Sequence, residues 1–366
     1  MKSRPAGSTS QPGPTADADA DADADGYRVV AIGALREPNV RRFGRAGVGL
    51  IVAALAGALV VLLTQGASSA PQAAPKLTFT VAATTGVRLV DIVWKGTRFL
   101  YVENTTNRVV AAGPDGKVTG LFAQMPEVVE ETRCVLSPGR HGFAAGDVFC
   151  HSPDNRIYRI TADGSTIVFA TLPEAGVSDG ALTADRVGRF GYRLVAATGS
   201  SLTSGGSVFA IDARGAVQKV ASYPGPGGAE NVVIAPAGFG SQAGSALITL
   251  DGGKTTGSLV AVSRKGTVAT IARFPDGLNP IAVIPPRLRL AGAPAAGLYL
   301  TDTFPGTVLR AAASQFEGHA GEVIVGSEQR GLIWLVAPRG KGFRTLLLPT
   351  NLTAPGYNLE GATFVP

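Results

Sequence analysis

Charge is scarce in this chain. Only 16% of its 366 residues are Asp, Glu, Lys or Arg, too few to solvate a set of long surface helices. The 48 Gly and 24 Pro point instead to short strands joined by tight turns. The formal charge of +6 is spread along the chain without a basic stripe or interleaved aromatics, which argues against a nucleic-acid partner. Histidine is limited to His141, His151 and His319. None stands at metal-ligand spacing from another, and loop or edge positions are expected for them. There is no G-x-S-x-G nucleophile elbow. The segment "GGKTTG" lacks the upstream glycine of a phosphate loop and reads as a hairpin turn.

Three segments precede the main domain. Residues 1–45 include "TADADADADADG", an alternation that can bury nothing, so a disordered cytoplasmic tail is expected. Residues 46–64 then form an uncharged apolar run, close to the length that spans a bilayer as a helix. Arg36, Arg41, Arg42 and Arg45 lie before it and only Lys76 soon after, which places the N-terminus inside and the remainder outside the cytoplasmic membrane. The length of the run and of the leading segment favours a signal anchor over a cleaved signal peptide. Gly49, Ala53 and Gly57 have the spacing of a close helix–helix contact, which a Gly/Ala-rich helix also produces by chance. Residues 65–76 read as an extended linker. The only cysteines, Cys134 and Cys150, fall on adjacent expected strands on the oxidising side, where a disulfide is favoured over two buried thiols.

From residue 77 onward the chain repeats itself. "RVVAAGPDGKVTGLFAQ", "RIYRITADGSTIVFATLP", "SVFAIDARGAVQKVASYP", "SLVAVSRKGTVATIARFP" and "LIWLVAPRGKGFRTLLLP" are each an apolar strand, a glycine turn and a second strand. The turn glycines Gly116, Gly164, Gly215, Gly266 and Gly340 suit a position that needs positive φ. A further strand precedes the units, as in "RFLYVEN", "GDVFCHS", "YRLVAAT" and "SALITLD". Earlier still comes an apolar run opened by a polar residue: "RLVDIVW", "ETRCVLSP", "DGALTAD", "ENVVIAP", "NPIAVIP" and finally "EGATFVP". Four antiparallel strands in about fifty residues is the signature of a β-propeller blade. Six innermost-strand matches predict an all-β, six-bladed propeller over residues 77–366. Glu360–Pro366 is then an innermost strand and Leu77–Val81 an outer strand of one closing blade, so that no inner edge is left bare. The interval from Gly266 to Gly340 is too long for one repeat and too short for two, and the blade around "AAASQFEGHAG" is expected to be irregular.

Residues at the starts of innermost strands converge at one tunnel mouth. This places Arg88, Glu131, Asp179, Glu230, Asn279 and Glu360 in a ring, with Asn231 beside Glu230. Oxygen donors converging on an axis suit a hard cation such as Ca²⁺ or another divalent ion. The same acids could equally end strands and hydrogen-bond backbone groups. The segments "SDGALTAD", "AENVVIAPAGFG", "FPDGLNPIAVIPP", "LYLTDT" and "LEGATFVP" make the domain resemble the six-bladed propellers of the gluconolactonase/regucalcin superfamily and its strictosidine-synthase-like relatives. The resemblance implies a divalent metal at the tunnel mouth and hydrolysis of lactones or esters. It makes Asp179, Glu230 or Asn231, Asn279 and Glu360 the metal shell. The chain departs from that pattern in "RLVDIVW", where Arg88 stands at the place of the family's metal-binding glutamate. A non-catalytic platform for a small-molecule ligand or a protein partner is the other expectation, since fold does not choose between them.

Overall fold

The computed structural model describes residues 76–126, 131–174, 179–199, 205–225, 227–253, 255–288, 295–352 and 356–366. The expected tail, the expected membrane helix and all but the last residue of the expected linker lie outside these. Among the described residues no helix is long and apolar enough to cross a membrane.

The first strand, β1 (Phe79–Thr84), is set aside for the closing blade. Blade I is β2 (Leu89–Trp94), β3 (Phe99–Glu103), β4 (Arg108–Ala112) and β5 (Val118–Gln124). Blade II follows with β6 (Arg133–Leu136), β7 (Val148–His151), β8 (Arg156–Ile160) and β9 (Thr166–Thr171). Blade III is β10 (Ala181–Ala184), β11 (Leu194–Ala197), β12 (Gly206–Ile211) and β13 (Val217–Tyr223). Blade IV is β14 (Gly228–Ile234), β15 (Ala246–Asp251), β16 (Gly257–Val262) and β17 (Val268–Phe274). In each, the strands pair antiparallel in chain order from hub to rim.

The chain then departs from that order, and the departure accounts for the irregular interval. After β18 (Leu278–Val283), the innermost strand of blade V, it crosses to form β19 (Gly297–Asp302) and β20 (Thr307–Ala312), the two middle strands of blade VI. A 3-10 turn at Ala313–Phe316 returns it to blade V, which β21 (Val323–Ser327), β22 (Ile333–Arg339) and β23 (Gly342–Leu347) complete. The last strand, β24 (Leu359–Val365), goes back to blade VI, whose order from the hub is β24, β19, β20, β1. Blade VI is therefore assembled from three separate stretches of chain, and both ends of the described domain lie in it. The C-terminal segment is an innermost strand, as its sequence predicts.

Six apolar clusters hold the ring, one between each neighbouring pair of blades. Val90, Val102, Cys150 and Tyr158 belong to the one joining blades I and II, and Leu89, Tyr101, Tyr299 and Val308 to the one joining VI and I. The rim hairpins key into this ring through their glycines. Gly164 has φ +95°, and a Cβ there would lie 2.2 Å from the carbonyl oxygen of Phe122 on β5 of the preceding blade. Gly215 meets the Phe169 carbonyl of β9 in the same way, at 2.4 Å. Glycine is required there for the turn and again for the close approach of the next blade.

Cys134 and Cys150 are directly opposed on β6 and β7 and form a disulfide. His151 is not at a loop or an edge. It is fully buried on β7, its Nδ1 3.1 Å from the Ala181 carbonyl oxygen, and burial pulls its pKa down to about 4.

Candidate functional site

Four innermost strands carry an irregularity near their first residues. The antiparallel register slips between Leu89 and Asp91 on β2, between Ala229 and Asn231 on β14, between Leu278 and Ile281 on β18, and across Glu360–Gly361 on β24. A bulge leaves an extra residue unpaired and re-aims it. The residues so released are Val90, Glu230, Asn279 with Pro280, and Glu360 with Gly361. Their side chains or their carbonyls turn toward the axis. At blade II, β6 pairs without a slip and delivers Arg133, which becomes the centre of the site.

Arg133 is 1% exposed. Its Nη2 lies 2.8 Å from Glu131 Oε2, 2.8 Å from Glu360 Oε2, 3.5 Å from Glu230 Oε2 and 3.1 Å from Asn279 Oδ1. Its Nε donates to the Glu230 carbonyl at 3.1 Å, and its Nη1 donates to the Val90 carbonyl. Both acceptors sit in bulges, where the ladder has left a carbonyl free. The guanidinium thus ties β2, β6, β14, β18 and β24 together across the tunnel. Around it Asn279 Nδ2 donates to Glu230 Oε2 at 3.2 Å and to Glu360 Oε2. Asn231 Nδ2 donates to Asn279 Oδ1 at 2.8 Å and to the Glu360 carbonyl at 3.1 Å. Asp91, buried beneath, accepts from the backbone N–H of Cys134 at 2.6 Å and of Ile92 at 2.8 Å.

The electrostatics follow from burial. Desolvation works against the charge of Arg133, but Glu131, Glu360, Glu230 and Asp91 outweigh it and hold its pKa above the ordinary arginine value. Burial raises Glu230 and Glu360 well above the usual carboxylate range, and repulsion from Glu131 adds to both while Arg133 opposes. Burial likewise pushes Asp91 up to about 6 against the pull of Arg133. Glu328, on the same face, is pushed up to about 7 by burial and by the charges of Asp251 and Glu131. Three ionised carboxylates around one guanidinium would be two negative charges in excess, and burial with mutual repulsion favours the protonated form of Glu230 and Glu360.

Of the ring expected from sequence, Glu131, Glu230, Asn231, Asn279 and Glu360 come together. Asp179 stays at the margin, half-buried with its N–H on the Gly199 carbonyl, and its charge adds to the upward shift of Glu230. Arg88 does not join the ring. It is exposed, with its guanidinium 4.5 Å above the Phe304 ring. The basic residue at the hub is Arg133 and the acid of blade I is Asp91; neither follows from taking the first polar residue of each strand. Arg133 was open to discovery: in "ETRCVLSP" it stands two residues after Glu131, on the same side of an extended chain.

Oxygen atoms of Glu131, Glu230 and Glu360 lie within 4.8 Å of one another, a spacing that could hold a metal ion. In this arrangement the cation among them is Arg133. A metal shell built from the same oxygens requires the guanidinium to leave, because Arg133 Nη2, with two N–H groups, stands among four of these acceptors where an ion would sit.

The fold and this hub define the class: an all-β, six-bladed propeller with an ion-paired centre. No protein-family model matches the chain, and no curated protein matches it. Among solved structures it is similar to virginiamycin B lyase from Staphylococcus aureus, 13% identical over 75% of each chain with a TM-score of 0.43. It is also similar to the PQQ-bound aldose sugar dehydrogenase from Streptomyces coelicolor, 12% identical over 75% of this chain and 86% of that one, with a TM-score of 0.47. A protein from Lactobacillus plantarum is 12% identical over 78% of this chain and 90% of its own, with a TM-score of 0.43. Similarity at this level assigns neither a family nor an activity.

Proposed function

We propose that the protein is a non-catalytic binding propeller, displayed outside the cytoplasmic membrane and anchored through the apolar run of residues 46–64. The observation that carries this reading is Arg133 Nη2, 2.8 Å from Glu131 and Glu360 and 3.5 Å from Glu230. The position a catalytic cation would take is filled by the chain's own guanidinium, whose acceptors are Glu131 and groups on four other innermost strands. A group so committed has no open coordination position at which to polarise a carbonyl or activate water, which is what metal-assisted hydrolysis needs.

The metal-dependent lactone or ester hydrolase has one observation in its favour, the surplus of carboxylates over cations at the hub. Turnover of a panel of lactones and esters, measured with added calcium and with a chelator, separates the two. The binding reading expects no hydrolysis above the buffer rate in either condition. Chelator-sensitive turnover would establish the hydrolase instead and require Arg133 to swing out of the ring.

A further inference from the structure

The tunnel has a second mouth, where the innermost strands end. There, two adjoining cavities of about 320 and 400 Å³ share walls from five blades, among them Thr183, Arg186, Val233, Ile281 and Phe364. Trp94 lines the smaller cavity, and Asp91 and Asn231 form its floor beneath the ion-paired hub. The larger cavity is mainly apolar and the smaller mainly polar, a combination that suits a small organic ligand with an apolar body and a polar end.

Charge narrows the ligand class. Arg186 reaches the rim of both cavities and donates from Nη2 to the Leu136 carbonyl at 2.6 Å. Among the described residues no carboxylate lies within ion-pair distance of it. The adjacent acid, Asp185, cannot serve: it is fully buried and accepts the backbone N–H groups of Val187, Phe190 and Tyr192. These bonds also fix the loop that holds Arg186 at the mouth. Burial, and then the like charge of Arg140, pull the Arg186 pKa down, the direction expected for a guanidinium short of a counter-anion. The one acid in the cavity walls, Asp91, has both oxygens engaged by backbone N–H groups. At the floor, Asn231 lines the cavity while its Nδ2 donates to the hub.

We propose that this cavity binds a small monocarboxylate with an apolar body, its carboxylate paired with Arg186 and its body lying along Val233, Ile281 and Phe364 toward Asn231. A planar carboxylate can take two parallel N–H groups of a guanidinium, which a neutral or cationic analogue cannot. The proposal rests on the binding-propeller reading and names the ligand class for it, at the opposite end of the tunnel from the acid ring.

The test is calorimetric titration of the full chain in lipid nanodiscs, against empty discs, with 2-naphthoate, its neutral amide 2-naphthamide, and the cationic 2-naphthylmethylamine. Naphthoate is expected to bind, and the amide and amine to bind at least about tenfold more weakly. Arg186→Gln, at the cavity rim where part of the side chain remains in solvent, is expected to weaken naphthoate by a similar factor without changing the amide. Thr183→Phe, which fills the cavity, should abolish binding of both; its melting curve shows whether it is folded, and if it is not, Arg186→Gln decides. Equal affinity for the three probes, unchanged naphthoate binding in Arg186→Gln, or no naphthoate binding overturns the cavity assignment. Such a failure leaves the binding-propeller reading standing provided hydrolysis is also absent. Chelator-sensitive hydrolysis removes that reading whatever naphthoate does.

Discussion

Arg133 is a single side chain on which five innermost strands depend. Breaking a buried ion pair by removing one partner leaves uncompensated charge, a loss of about 3–5 kcal/mol. Arg133→Met is therefore expected to lower stability by that order in urea unfolding, and Arg133→Lys by less, since one ammonium can still meet the carboxylates but not the Val90 and Glu230 carbonyls together. A loss below about 1 kcal/mol, the range of surface ion pairs, would mean the hub does not hold the strands. The raised acids also set a pH dependence. Glu328 moves from 4.5 to about 7 on folding, and Asp91 from 3.8 to about 6. The folded state holds these protons more tightly, so their stabilisation is complete below the unfolded values and is lost as pH rises through the folded ones. His151, lowered from 6.5 to about 4, works in reverse, losing stabilisation as pH falls through that window. The acids outnumber it. The melting temperature is expected to fall as pH is raised from about 5 to about 8, and Glu328→Gln to flatten that fall; an unchanged profile in the variant would contradict the assignment. Glu131, Glu230, Asn279 and Glu360 were legible in the sequence because each opens an innermost strand. Asp91 was not, because the bulge in β2 changes which residue of that strand faces the axis; the spacing of Arg133 from Glu131 put it on the same side of the chain, but its reach across the tunnel to other strands leaves no local pattern.

At the scale of strands, the disulfide and the rim glycines are separately testable. Cys134 and Cys150 are 16 residues apart in the chain and face each other on β6 and β7. Closing a loop of that size stabilises by about 3 kcal/mol. Replacing both cysteines by alanine is expected to lower stability by roughly that amount in denaturant unfolding, and no measurable loss would show that the β6–β7 pairing is secured without the bond. Gly164→Ala is expected to cost about 1–3 kcal/mol, for it meets both an unfavourable φ and the Phe122 carbonyl. Gly340→Ala should cost less, because φ is also positive there but nothing lies within 4 Å of the new methyl group; equal losses would remove the interblade contact as a cause. The glycine positions and the C-terminal strand were readable because turn chemistry and period-two alternation are local signals. The crossing of β19 and β20 into blade VI was not. "GLYLTDT" carries the same alternation whichever blade it joins, and its partners β24 and β1 lie far from it in the chain.

Across the whole molecule, the exchange between blades V and VI makes ring closure a joint event. Blade VI draws on three stretches of chain, and the excursion through β19 and β20 separates β18 from β21 in blade V. The count of six was legible because six strands share one opening pattern; the order of assembly was not, because hub-to-rim pairing in the last two blades is non-local. The closed ring brings every innermost strand to one axis, and there the chain supplies its own cation. That claim is tested most directly by the melting temperature of the purified protein in millimolar calcium against the same protein in EDTA. A ligand that binds only the folded state raises the melting temperature in proportion to its occupancy. With Arg133 seated among Glu131, Glu230 and Glu360 the expected result is no shift; a rise of several degrees in calcium would show that these carboxylates bind a metal and that the guanidinium is not their native partner.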